Sequence, residues 1–232
     1  MALKEVLSNP VFGITITLAA YMIGIKVHRR LKTNIANPLL IACVLIIGLL
    51  VLGDIPFDTY NQGGRYITFL LGPATVALAV PLYKNIKLVK KNISAIISAI
   101  SCGCVVGVLS ASLIALVLGG DEVIAYSMAP KSVTSPIAME ISRILGGIPS
   151  ITGAVVAVTG IIGAMVGPET LKLFGIKDPI AVGTAMGTAS HGMGTSRAVT
   201  EGSVQGAMSG LAIGIAGVIT SIIAPLLLKL IT

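Results

Sequence analysis

The sequence predicts an all-α polytopic membrane protein of about seven transmembrane helices, some broken or re-entrant, in an inverted-repeat, carrier-like architecture. Two observations carry the prediction. Of the 232 residues, 55% are apolar and only 11% are charged, where a soluble domain carries about a quarter; mean hydropathy is +0.99. That leaves too little polar surface to wrap a globular core, which excludes a soluble enzyme, a disordered tail and a nucleic-acid binder. The second observation is that three of the apolar runs are interrupted by proline, glycine and hydroxyl residues.

A spanning helix needs about 20 mostly apolar residues. Charge-free runs at 6–25, 33–53, 66–83, 92–120, 144–168 and 202–228 meet or approach that length. Two stretches are more broken: 123–139 contains Lys131, and 179–200 contains His191 and Arg197. Lipid offers the backbone no hydrogen bonds, so the intact runs must be helices. The first run follows Lys4 and Glu5 and ends without a small-residue cleavage site, so it reads as a retained helix. The whole chain, 1–232, reads as one integral membrane domain, with halves 1–118 and 119–232.

The net charge of +7 sits in short loops. Lys26, Arg29, Arg30 and Lys32 follow the first run, and Lys84, Lys87, Lys90 and Lys91 follow the third, with no acid in either loop. Such loops face the cytoplasm, which puts the N-terminus outside a multi-pass protein of the cell membrane. If 121–147 crosses as one broken helix, the C-terminus lies outside; if it dips in and returns while 179–200 crosses, the C-terminus lies inside, and Lys172, Lys177 and Lys229 all lie on the cytoplasmic side. The third run and 179–200 then run in opposite directions, as in inverted-repeat carriers.

Three segments carry the chemistry. Pro73 breaks the third run beside Thr75. Pro130 and Pro136 bracket Lys131, Ser132, Thr134 and Ser135. Residues 183–197 interleave Gly187, Gly192 and Gly194 with Thr188, Ser190, His191, Thr195 and Arg197. Proline removes an N–H and clashes with the preceding turn. Irregular backbone at membrane depth is tolerated only where protein or water covers it. Half-helix N-termini attract anions, hydroxyls add donors, and Lys131 and Arg197 add charge. These residues suit a small carboxylate, with His191 binding substrate or carrying a coupling proton. Each has a structural alternative: Pro73 an ordinary kink, Lys131 a snorkelling surface residue, Arg197 an ion pair with Glu201 one turn away. Gly103/Gly107, Gly163/Gly167 and Gly206/Gly210/Gly214 are spaced by four, which suits close helix packing and a homodimer.

Enzymatic readings fail on the residues. Ser190 and His191 are adjacent, and no acid in their segment orients the imidazole. There is no phosphate-binding loop and no zinc-protease motif. Cys102 and Cys104 lack neighbours at metal spacing. No cofactor or metal is expected.

From about residue 35 to 226 the chain resembles the LrgB/CidB family, the larger membrane component of the bacterial LrgA–LrgB and CidA–CidB pairs. The resemblance rests on Asn37-Pro38-Leu39-Leu40, LGPATVALAVPLY at 71–83, PKSVTSPIAM at 130–139, GGIP at 146–149, GTAMGTASHGMGTSRA at 183–198 and TSIIAP at 220–225. It implies a small LrgA/CidA-type membrane partner and one of two functions. One is antiholin- or holin-like modulation of murein hydrolase activity and lysis. The other is facilitated or ion-coupled movement of a small monocarboxylate such as pyruvate or glycolate; a fused plastid relative translocates glycolate and glycerate. The polar breaks favour transport, because a lesion-forming protein has no need of them.

Overall fold

A computed structural model describes residues 7, 9–31, 33, 36–70, 73, 76–77 and 79–231. Thr75 lies outside the described residues. All elements among the described residues are helices. They form two compact units, residues 1–77 and residues 78–232.

The first unit holds α1 (Pro10–Leu31), α2 (Pro38–Leu52) and α3 (Phe57–Phe69). Asn37 caps α2, its side chain accepting the Leu39 and Leu40 N–H groups, and Pro38 supplies the preset φ of a first turn. Glycine lets α1 approach both neighbours: Gly13 faces Gly63 of α3, and Gly24 faces the Pro38 backbone. Thr17 and Tyr60 join α1 to α3 by a hydroxyl–hydroxyl bond of 2.8 Å. The run at 66–83 is not one helix. α3 takes its first residues and carries Asp58, Asn61, Gln62 and Arg65, so it is amphipathic. Pro73, exposed, lies beyond its end.

The second unit holds α4 (Ala79–Lys84), α5 (Ile86–Val117), α6 (Glu122–Met128), α7 (Ser135–Leu145), α8 (Pro149–Leu173), α9 (Pro179–Glu201) and α10 (Ser203–Leu228). Helices α1, α5, α8 and α10 are long and apolar enough to cross a membrane, and α2 is a shorter apolar helix. Lysines 87, 90 and 91 lie within α5, which starts ahead of its charge-free run, because lysine stems can lie along a helix while their heads reach water.

Two segments turn back on themselves. α9 is broken at His191, whose φ of 42° and ψ of −133° are not helical. Gly194 faces the Met186 carbonyl, eight residues back, which a straight helix would carry about 12 Å away. Gly167 of α8 faces Met186 while Glu169 of α8 pairs with Arg197 at 3.4 Å and Lys172 reaches Glu201 at 4.0 Å. Both arms of α9 therefore stand against the C-terminal end of α8. The arm 179–190 enters, and the arm after His191 returns. α10 then runs alongside the entering arm, with Gly183 on Gln205 and Gly187 on Ser209.

The second reversal is 121–147. Ser112 of α5 donates to the Ala125 carbonyl, and Gly107 faces Ser132, so α6 runs back along α5. Gly217 of α10 faces Ile137, and α7 continues beside Ser221 and Pro225. It ends at Gly146, whose φ of 87° suits a residue without a Cβ. The Ser127 hydroxyl then accepts the Ile148 N–H at 2.7 Å, and Thr152 donates to the Ser127 carbonyl at 2.9 Å, tying α6 to the start of α8.

The long helices set the polarity of this unit. α5 and α10 rise from an end marked by Lys84, Lys87, Lys90, Lys91, Lys172 and Lys177; α8 descends to it. Because 179–201 turns back instead of crossing, Lys229 stands at the opposite end from Lys172 and Lys177. The sequence expectation grouped all three, having counted that segment as a crossing.

Candidate functional site

The two hairpins enter from opposite ends and meet beside α5. Gly107 faces Ser132 from the first hairpin. Gly103, one turn earlier, lies where a Cβ would come 2.9 Å from Thr188 Cγ2 of the second. Glycine at 103 is what admits the threonine. Between α5, α9 and the 130–134 turn lies a groove of about 750 Å³. Its α5 wall carries Ala95, Ala99, Gly103 and Gly107; its α9 wall carries Ala181, Thr184, Ala185 and Thr188. Residues of this size, four apart, leave the space that larger side chains would fill.

Two charges border the groove. Asp178 is occupied as the cap of α9, accepting the Ile180 and Ala181 N–H groups at 3.0 and 2.9 Å. Lys131 is half-buried, and its Nζ donates to Ser132 Oγ at 3.2 Å. No acidic side chain pairs with it among the described residues. The site is therefore a cation and hydroxyls in an otherwise mostly apolar cleft.

The expected site residues separate into three groups. Lys131, Ser132 and Thr188 line the groove. Ser190, His191 and Thr195 are buried behind it, in the packing of the hairpin tip. Gly163 makes room for Ser190, and Gly160 for His191. The His191 Nε2 lies 3.0 Å from the Val156 carbonyl of α8; a carbonyl only accepts, so Nε2 carries the proton. Thr195 donates to the His191 carbonyl and shares a 2.7 Å hydroxyl bond with Ser209. Arg197 sits at the base of the second hairpin, 2.8 Å from Glu201 and 3.4 Å from Glu169. The interfacial ion pair of the sequence reading is the geometry found, with a second acid added.

The helix breaks fall where they turn the chain. Pro130 is fully buried at the first tip, and Pro136 opens α7 after Thr134, whose side chain makes no cap bond. Ser135 begins that helix. At the second tip Gly187 packs on Ser209, Gly192 has open space around it, and Gly194 closes on the entering arm. Thr184 was missed by sequence reasoning, although Gly183-Thr184-Ala185 repeats as Gly187-Thr188-Ala189 four residues on, which puts both threonines on one face.

Four helices long and apolar enough to span a bilayer, packed about a mostly apolar groove, mark an integral membrane protein. Residues 17–230 match the family model described as LrgB-like, and the chain belongs to that family. It is 40% identical over 195 residues to the antiholin-like protein LrgB of Bacillus cereus (strain B4264), covering 84% of this chain and 85% of that one. The antiholin-like protein LrgB of Bacillus anthracis (strain CDC 684 / NRRL 3495) matches to the same extent. The uncharacterized protein YwbG of Bacillus subtilis (strain 168) is 37% identical over 188 residues, 81% of this chain and 84% of its own. No solved structure matches.

Proposed function

We propose that this protein carries a small monocarboxylate such as pyruvate or glycolate across the cell membrane, as a facilitator or an ion-coupled carrier, with an LrgA/CidA-type membrane partner. The observation that supports it most is the meeting of two opposed hairpin tips beside a lysine with no acidic partner among the described residues. α5 followed by one hairpin, and α8 followed by the other, have opposite directions, as the repeats of inverted-topology carriers do. About seven segments enter the bilayer, the two hairpins and a crossing between α2 and α5 among them. The lysine-rich end of the second unit then faces the cytoplasm, and the N-terminus lies outside.

Lys131 attracts the carboxylate as a compact point charge, and the Ser132 hydroxyl beside it, which accepts from the lysine, keeps its proton to donate. His191 acts from behind the groove, holding the second tip against α8. A homodimer belongs to the same proposal; Gly206 is already covered by Val199, while Gly214 faces open space. The test is uptake of labelled pyruvate and glycolate into liposomes containing the purified chain, with and without the partner. Saturable uptake that unlabelled acid competes for is expected. Lys131→Met lowers it at least tenfold while the protein stays folded, the order lost with a hydrogen-bonded charge.

The relatives named antiholin-like protein LrgB favour a second reading, an antiholin-like role, which the family resemblance links to murein hydrolase activity and lysis. That reading predicts leakage of unrelated dyes or no flux, and indifference to Lys131→Met.

A further inference from the structure

We propose that the outer face of α7 is the contact between two copies of this chain, paired about a two-fold axis along the membrane normal; this rests on the homodimer of the reading above and gives it an interface. α7 is the returning arm of the first hairpin. Its exposed residues are Pro136, Met139, Glu140, Arg143 and Ile144, and at 3.6 residues per turn they fall on one side of the helix. At the centre of that side Arg143 donates to Glu140 twice, at 2.6 and 2.9 Å. The two side chains are 66% and 54% exposed.

Depth makes that exposure informative. Glu140 shares a cleft with Ser221 of α10. Ser221 stands eight residues before Lys229, the first charge after the apolar run of α10, a rise of about 12 Å. The pair therefore lies below the outer water boundary. Charged groups at such depth face protein or a water-filled cavity, not lipid. α7 does the reverse of a lipid-facing helix: Ala138 and Ile141 are turned inward and the charges outward.

The face is complementary to itself. The cleft, of about 430 Å³, lies on one flank of the ion pair, between Ile137, Ile141 and Ile144 of α7 and Pro225 of α10. Met139 stands on the other flank, over Gly153 of α8. A two-fold axis parallel to α7 sets the left flank of one copy against the right flank of the other, as in any isologous contact. Each Met139 then meets the other copy's cleft, and methionine is a side chain that adapts to irregular gaps. Glu140 and Arg143 are opposite charges a rise of about 4.5 Å apart, which an arginine can span. Each therefore finds its opposite on the second copy, and the four charges close a ring away from lipid.

The experiment counts photobleaching steps of fluorescently tagged protein in liposomes, beside uptake of pyruvate and glycolate by the same liposomes. The unaltered protein is expected to bleach in two steps. Glu140→Arg leaves two cations on the face and Arg143→Glu leaves two anions, so each variant alone bleaches in one step. When the two variants are mixed, the two-step population returns, with one tag from each. Mixing cannot restore a pair within one helix, so this result separates a contact between copies from a local ion pair. A single step for the unaltered protein, two steps for either variant alone, or single steps for the mixture overturns the interface. Uptake reports separately: dimers that carry neither acid sink the carrier reading and leave the interface, and uptake by monomers does the reverse.

Discussion

His191 concentrates the local chemistry of the second hairpin. Its backbone has the positive φ that glycine adopts freely and a branched side chain resists. Such a residue persists only where its surroundings compensate, at a cost of about 1–3 kcal/mol. The compensation here is the Nε2 bond to Val156 and a berth that only glycine at 160 leaves open. The two terms can be separated by substitution. His191→Ala loses the bond and keeps the strain, so it lowers stability by about 1–3 kcal/mol. His191→Gly loses the same bond but relieves the strain, and is the milder change by about 1 kcal/mol. Thermal unfolding of the two variants in detergent checks the order; His191→Gly melting below His191→Ala would refute it.

At the scale of elements, the break in α9 was legible and the reversal was not. Gly187, Gly192 and Gly194 around His191 announce an irregular helix, but composition cannot give the angle. The angle is set at a distance, by Gly160, Gly163 and Gly167 on α8, which receive His191, Ser190 and Met186. The first hairpin was one of two expected paths for 121–147, because Pro130 and Pro136 bracket a break there. The reversal has a direct consequence for Glu169 and Arg197. In a protein without its native cysteines, Glu169→Cys with Arg197→Cys should cross-link with a short bifunctional reagent. Gly153→Cys with Arg197→Cys should not, although a straight α9 would bring that pair closer. The ion pairs themselves are part-exposed and stabilise by no more than about 1 kcal/mol each.

For the whole molecule, the all-helical membrane character was plain from composition, and the long helices α5, α8 and α10 lie close to their apolar runs. The side on which the chain finishes was not plain, because one segment that turns back instead of crossing reverses everything after it. With Lys84, Lys87, Lys90, Lys91, Lys172 and Lys177 at one end, the charge asymmetry now agrees with the path of the chain. A cysteine at Lys177 should react with a membrane-impermeant thiol reagent only in inside-out vesicles. A cysteine at Lys229 should react only in right-side-out ones. Reaction of both from one side would mean that 179–201 crosses after all.

The second hairpin also constrains how the protein is made. Its 23 residues include four glycines, four threonines, a histidine and an arginine, a composition that a translocon would not pass into lipid as a spanning helix. When the ribosome has completed it, α5 and α8 are already made, but α10, its most extensive partner, has not yet emerged. The hairpin must therefore wait, neither inserted nor released, until α10 is synthesised, so the groove wall that it supplies is settled only after that helix has arrived.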